Sequence, residues 1–168
     1  MTEKNTSKYF ESEINAKEIV KEIERIRKEL GDTKPLLKVC RRCLMNYIDE
    51  NFETEGTASG EKWQEWSDDW REQRKKLGRG SGKILNLEGE LRRSIDSKLK
   101  KDELIIGTAK EYAAIHQFGG EIKRKNKITL MPKRPFFRFP ENVEDFIIVE
   151  LHYYVQDLIN KQKLKGLE

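Results

Sequence analysis

The chain of 168 residues is one domain by size, large enough to bury a core. Charged residues make up 38% of it and hydrophobic ones 36%, so the core is modest and the surface densely charged. The 34 Lys+Arg against 30 Asp+Glu leave a net charge of +4, too weak a bias to indicate nucleic-acid binding without one strongly basic face. The longest apolar run, Phe146 to Val149, falls far short of the ~18 residues of a membrane span. The first residues, Met-Thr-Glu-Lys-Asn, lack the apolar segment of a signal peptide, so synthesis and assembly in the cytoplasm, without a membrane partner, are expected.

Residues 1–13 are polar and unpatterned and read as a loose arm to a single domain spanning 1–168. Asn15 and Glu18 fit a capping box, and Ile14 and Ile19 fit a hydrophobic staple. The stripe Ile19, Ile23, Ile26, Leu30 then predicts a surface helix stopped by Gly31. A second helix follows Asp32-Thr33, with Pro35 in its first turn. Its apolar face is Leu36, Leu37, Cys40, Cys43, Leu44, Tyr47 and Ile48, and the short connection predicts a helical hairpin. Cys40 and Cys43 form a lone C-x-x-C; the two histidines, His116 and His152, lack zinc-ligand spacing. The pair reads as two small buried side chains, with no metal and no cofactor expected.

Residues 53–61 are loop-like in composition. Trp63, Trp66 and Trp70 follow at helical spacing. They read as core or subunit-contact residues rather than a platform for bases, because no basic–aromatic alternation accompanies them. Ser67, followed by Asp68 and Asp69, predicts a helix N-terminus, and Leu77-Gly78 its end. Residues 74–83 form a basic, glycine-rich loop without a phosphate-binding pattern, read as a mobile loop facing DNA, an acidic protein surface or merely solvent. Asn86 is a candidate cap for a short helix bearing Leu87, Leu91 and Ile95. Alternation from Ile95 to Leu99 and the run Leu104 to Ile106 predict a β-hairpin turning over 100–102.

Thr108 and Glu111 fit a second capping box, predicting a helix of about ten residues that ends at Gly119-Gly120. Its neighbours must pack on it, and Tyr112, Ile115 and Phe118 are the face expected to be covered. His116, one turn from Tyr112, reads as a hydrogen-bonded structural residue, since no nucleophile or metal partner stands at a recognisable spacing. A further hairpin, 121–124 with 128–131, carries the basic tip Lys125-Asn126-Lys127. From Glu121 to Arg138 there are seven Lys or Arg against one Glu, either an edge-protecting feature or a contact surface. Pro132 to Phe139 reads as an edge strand or extended connector. Residues 141–163 predict a long final helix striped by Val143, Ile147, Leu151, Tyr154 and Leu158. Phe146, Val155 and Ile159 widen that stripe toward a subunit contact.

Several of these strings, in order, resemble the phage virion morphogenesis family, the tail completion proteins of Mu-like phages and prophages. They are Gly60-x-x-Trp63 before the Ser67-capped helix, Ile84-Leu85, Gly89-x-Leu91, Ser94-Ile95 and Ile106-Gly107-Thr108. Tyr112 to Gly120, with Tyr112, His116, Phe118, Gly119 and Gly120 as its structural motif, and Arg134-Pro135-Phe136-Phe137 complete the set. Glu88 stands where that pattern carries a small hydroxyl residue. The resemblance covers roughly residues 50–140 and implies a small α+β subunit that acts late in tail assembly.

The expected fold is a small antiparallel sheet of two hairpins with a short central helix, an N-terminal helical hairpin and a long C-terminal helix. The implied function is structural and non-enzymatic: tail completion and head–tail joining at the head-proximal end of the virion tail. Its implied partners are other tail or neck proteins and further copies in a ring. The candidate partner-binding residues are Arg74, Lys75, Lys76, Arg79 and Lys83 in the loop and Lys123, Arg124, Lys125 and Lys127 on the hairpin. The alternative is a small nucleic-acid-binding protein using the same patches; a weak DNA contact fits either reading, since tails conduct DNA.

Overall fold

The structure, a computed structural model, describes residues 17–100, 103–125 and 127–165, apart from the side chains of residues 29, 30, 124 and 162–165. The expected arm at 1–13, the Ile14–Asn15 staple and cap, the Leu30 end of the first stripe and part of both hairpin turns lie outside the described residues. Helices and two small two-stranded sheets make the class α+β, with each predicted hairpin forming its own sheet.

Helix α1 (Lys17–Leu30) buries Ile19 and Ile26 and ends at Gly31, whose φ of 76° is the left-handed conformation glycine takes without strain. Helix α2 (Lys34–Glu53) starts where Asp32 Oδ1 accepts from the Lys34 amide at 3.0 Å. Its predicted apolar face is buried except for Tyr47, which is half-buried, and the helix continues through Asn51 and Phe52, so Glu53 belongs to the helix rather than the loop.

By their internal contacts the described residues form two compact units. One comprises residues 17–46, Ser97–Ile105 and 140–165. Here α6 (Val143–Lys165) packs on α1 and buries Val143, Ile147 and Leu151. His152 Nε2 lies 2.5 Å from Glu22 Oε1, and Arg42 donates to Glu150 at 3.0 Å. Cys40 and Cys43 are free and buried, as read from sequence, and burial pushes the Cys40 thiol up to about 12.

The other unit comprises Tyr47–Asp96 and Ile106–Phe139. It holds a 3₁₀ turn (Thr57–Ser59), α3 (Asp68–Lys76), α4 (Glu90–Arg93), α5 (Ala113–Phe118) and the hairpin of β3 (Gly120–Arg124) and β4 (Lys127–Met131). The first hairpin, β1 (Ile95–Leu99) with β2 (Leu104–Thr108), has residues in both units. Its turn closes with the Lys100 amide donating to Glu103 O at 2.9 Å.

The aromatic core of this unit joins the end of α2 to the segment after β4. Phe52 meets Trp63 edge-on at 5.5 Å between centroids, and Phe136 lies 5.7 Å from Phe52 and 4.8 Å from Phe137. The segment expected at 132–139 is therefore a connector rather than an edge strand, buried over residues 134–137, bent at Phe136 and Phe137, and without a sheet partner among the described residues. Its carbonyls find side-chain donors instead. Asn51 Nδ2 reaches Pro135 O and Phe136 O, both at 3.2 Å, and Trp63 Nε1 reaches Pro135 O at 3.4 Å.

Several local expectations need correction. Ser67 caps α3 as predicted, its Oγ accepting from the Trp70 amide at 3.3 Å. Trp63 and Trp66 precede that helix in irregular chain, so the three tryptophans do not share a helical face: Trp63 is buried, Trp66 half-buried and Trp70 exposed. Asn86 caps nothing; α4 is a four-residue helix opened by Gly89 at φ 70°, and Leu87 faces solvent.

Candidate assembly interface

The signature string around α5 has a different local structure from the one its capping pattern predicts. Thr108 ends β2, with its hydroxyl 2.6 Å from Ser94 Oγ and 3.2 Å from the Lys110 amide, so it is committed to the hairpin and a tight turn. The helix starts at Ala113, has six residues, and has no side-chain cap. Its buried positions are Ala113 and Gln117. Tyr112 and Phe118, expected to be covered, are 40% and 60% exposed.

What α5 does is hold the connector. The His116 carbonyl accepts from the Arg134 amide at 2.7 Å, and Gln117 Oε1 accepts from the Phe137 amide at 3.0 Å. Gly119, at φ 73°, allows the chain to turn where a Cβ would press on Lys133 N at 3.0 Å and Met131 O at 3.1 Å. A side chain there would be both strained and obstructed by backbone. Arg134 completes the clamp: Nε donates to Gln64 O at 2.8 Å and one terminal nitrogen to Glu65 O at 3.1 Å. Arg134 is thus a structural bracket taken from the basic run.

His116 stacks edge-on with Tyr112 at 5.9 Å. Its Nδ1 is buried without a hydrogen-bond partner, which departs from the hydrogen-bonded role read from sequence. Burial, with the nearby Arg134 guanidinium second, lowers its pKa and favours the neutral ring. Among the described residues, no group of three or more His, Cys, Asp or Glu could hold a metal ion.

The basic loop divides into engaged and open residues. Arg74 is buried, its guanidinium 4.2 Å above the Trp66 ring and donating to Ser81 O at 3.3 Å. Arg79 pairs with Glu88, and Lys83 with Glu53, which Arg92 also binds. Hydrogen bonds from Lys83 and then Arg92 hold the Glu53 carboxyl below its usual range. Lys75 and Lys76, in the last turn of α3, are exposed. The structure therefore buries Arg74, ties Arg79 and Lys83 into surface ion pairs, and leaves Lys75 and Lys76 outward.

The β3–β4 hairpin is the outward element of this unit. Its antiparallel register pairs Glu121 with Leu130, Ile122 with Thr129, Lys123 with Ile128 and Arg124 with Lys127. Lys123, Lys125 and Lys127 are exposed; Arg124 belongs to the strand, its side chain lying outside the described residues. Sequence reading missed that Ile128 and Leu130 are 61% and 75% exposed. The signal was there in principle: an Ile-Thr-Leu alternation opposite a strand with a single Ile cannot bury both faces of a two-stranded ribbon.

Comparison with known proteins adds what geometry alone does not. No solved structure matches the chain. It is 33% identical over 132 residues to a candidate capsid assembly protein G of Escherichia phage Mu, covering 76% of this chain and 85% of that protein. It is 33% identical over 145 residues to the Mu-like prophage FluMu G protein 2 of Haemophilus influenzae, covering 86% of this chain and 94% of that one. The FluMu G protein 1 of the same organism is 29% identical over 110 residues, 64% of this chain and 69% of that protein. The model of the phage virion morphogenesis family matches residues 14–156, a span that includes the α5 clamp, the hairpin and most of α6, and the chain belongs to that family.

Proposed function

We propose that this virion morphogenesis protein completes the tail and makes it competent to join the head, working through protein–protein contacts at the head-proximal end. The observation that carries the reading is the family match across residues 14–156, which runs through both compact units. The hairpin and the end of α3 supply the contacts. Lys75, Lys76, Lys123, Lys125 and Lys127 are the outward charges, and their partners are tail or neck proteins and further copies arranged as a ring. Charge at such a rim steers docking and loses effect as salt rises. The reading includes no catalytic step and no cofactor; the work is done by binding geometry.

The relative in phage Mu is named for capsid assembly, and one experiment separates the two roles. The gene for this chain is deleted from an inducible phage or prophage that carries it, and the lysate is viewed by electron microscopy. Tail completion predicts filled heads beside separate, unjoined tails. Absent or malformed heads would assign the protein to the capsid and overturn the reading.

A further inference from the structure

The β3–β4 ribbon has an arrangement that a free surface hairpin ordinarily avoids. Two strands alone are marginal in water, and each outer edge offers unpaired backbone groups to any passing strand. Among the described residues no third strand pairs with it. Every residue of β4 from Lys127 to Leu130 is exposed. Directly opposed residues share a face, so Ile128 and Leu130 lie on one side with Lys123 and Glu121, and Lys127 and Thr129 on the other with Ile122. One side of the β4 edge is therefore apolar and the other is polar with a cation at its end.

We propose that this edge receives an extended segment of another virion protein. That segment alternates apolar with acidic side chains and adds to β4 as a third strand. Its apolar residues cover Ile128 and Leu130, and its carboxylates face Lys127 and the tip Lys125. The inference rests on the assembly reading above and specifies the chemistry of the partner. A second copy of the same hairpin is the wrong occupant by charge. Each ribbon carries Lys123, Arg124, Lys125 and Lys127 against Glu121 alone, and Glu121 already lies 3.8 Å from Lys123, so bringing two ribbons together juxtaposes two net-positive elements. The lysines thereby discourage self-pairing while leaving an acidic strand welcome.

The test uses the full chain and three fluorescein-labelled peptides in an anisotropy titration: alternating Val-Glu, alternating Val-Lys, and the Val-Glu peptide with a central proline. The Val-Glu peptide should bind at least about tenfold tighter than either control, and raising salt to about 0.5 M should weaken it. Leu130→Lys should reduce binding about tenfold, and Lys127→Glu should do likewise while leaving the apolar face intact. Equal affinity for the Glu and Lys peptides, or no binding of either, overturns the proposal. So does a concentration-dependent dimer that Leu130→Lys abolishes, because the occupant is then a second copy. The two readings fail separately: unjoined heads and tails on gene deletion with no peptide bound removes only the strand partner. Peptide binding with intact head–tail joining removes the tail-completion role instead.

Discussion

Residues 121–131 and residues 132–138 carry the same mixture of lysine, arginine and large apolar side chains, side by side in the chain. The first stretch exposes Lys123, Lys125, Lys127, Ile128 and Leu130, the last by three-quarters, and the second buries Arg134, Phe136 and Phe137. Local composition does not separate them; hydrogen-bond supply does. The hairpin satisfies its inner backbone groups by its own register, so it can stand away from the rest of its unit. The connector has no strand beside it among the described residues, and it depends on Asn51, Trp63, Gln117 and the His116 carbonyl brought to it by the rest of its unit. A basic run is thus neither a binding surface nor a core element until the partners of its backbone are known.

The sharpest way to break this contrast is at Phe136, which is fully buried between Phe52 and Phe137. Phe136→Ala should cost about 3–5 kcal/mol in urea unfolding, whereas removing a hairpin leucine should leave the midpoint nearly unchanged. Arg134→Met comes next. It keeps the stem but leaves the Gln64 and Glu65 carbonyls without their donors, a loss of about 2 kcal/mol by the same measurement. A gentler effect comes from pH. The His116 pKa is lowered in the fold from 6.5, so protons bind the unfolded chain more readily. The contribution of His116 to stability is complete above 6.5 and is lost as pH falls below it toward the depressed folded value. Unfolding midpoints taken across that range should slope downward toward acid, and His116→Gln should flatten the slope. The smallest expected effect is at the hairpin: Lys123→Glu, Lys125→Glu and Lys127→Glu together should shift stability by no more than about 0.5 kcal/mol.

The elements legible in the sequence were those whose signals are local and complete. The Ile19–Ile26 stripe, the Gly31 and Gly119 stops, the Ser67 cap and both hairpins need only their own residues to be recognised. The α5 start was misread because two hydroxyls compete. Thr108 has the spacing of a capping box with Glu111, but Ser94, fourteen positions earlier, engages it across the fold. With the start displaced to Ala113, the covered face moved from Tyr112 and Phe118 to Ala113 and Gln117. Arg74 illustrates the same limit for charge. An arginine in a lysine-rich loop reads as solvent-facing, and only the placement of Trp66 beneath it and Ser81 beside it draws it inside. For the candidate interface, the lysines were visible in the sequence, but the exposure of Ile128 and Leu130 depends on the absence of a third strand among the described residues, which no local pattern encodes.

The most direct measurement complements the gene-deleted phage with the chain carrying Lys123→Glu, Lys125→Glu and Lys127→Glu, and pairs particle yield with the urea midpoint of the purified variant. The account predicts filled heads and unjoined tails from a protein whose midpoint matches that of the unsubstituted chain. Joined, infectious particles at full yield would contradict it.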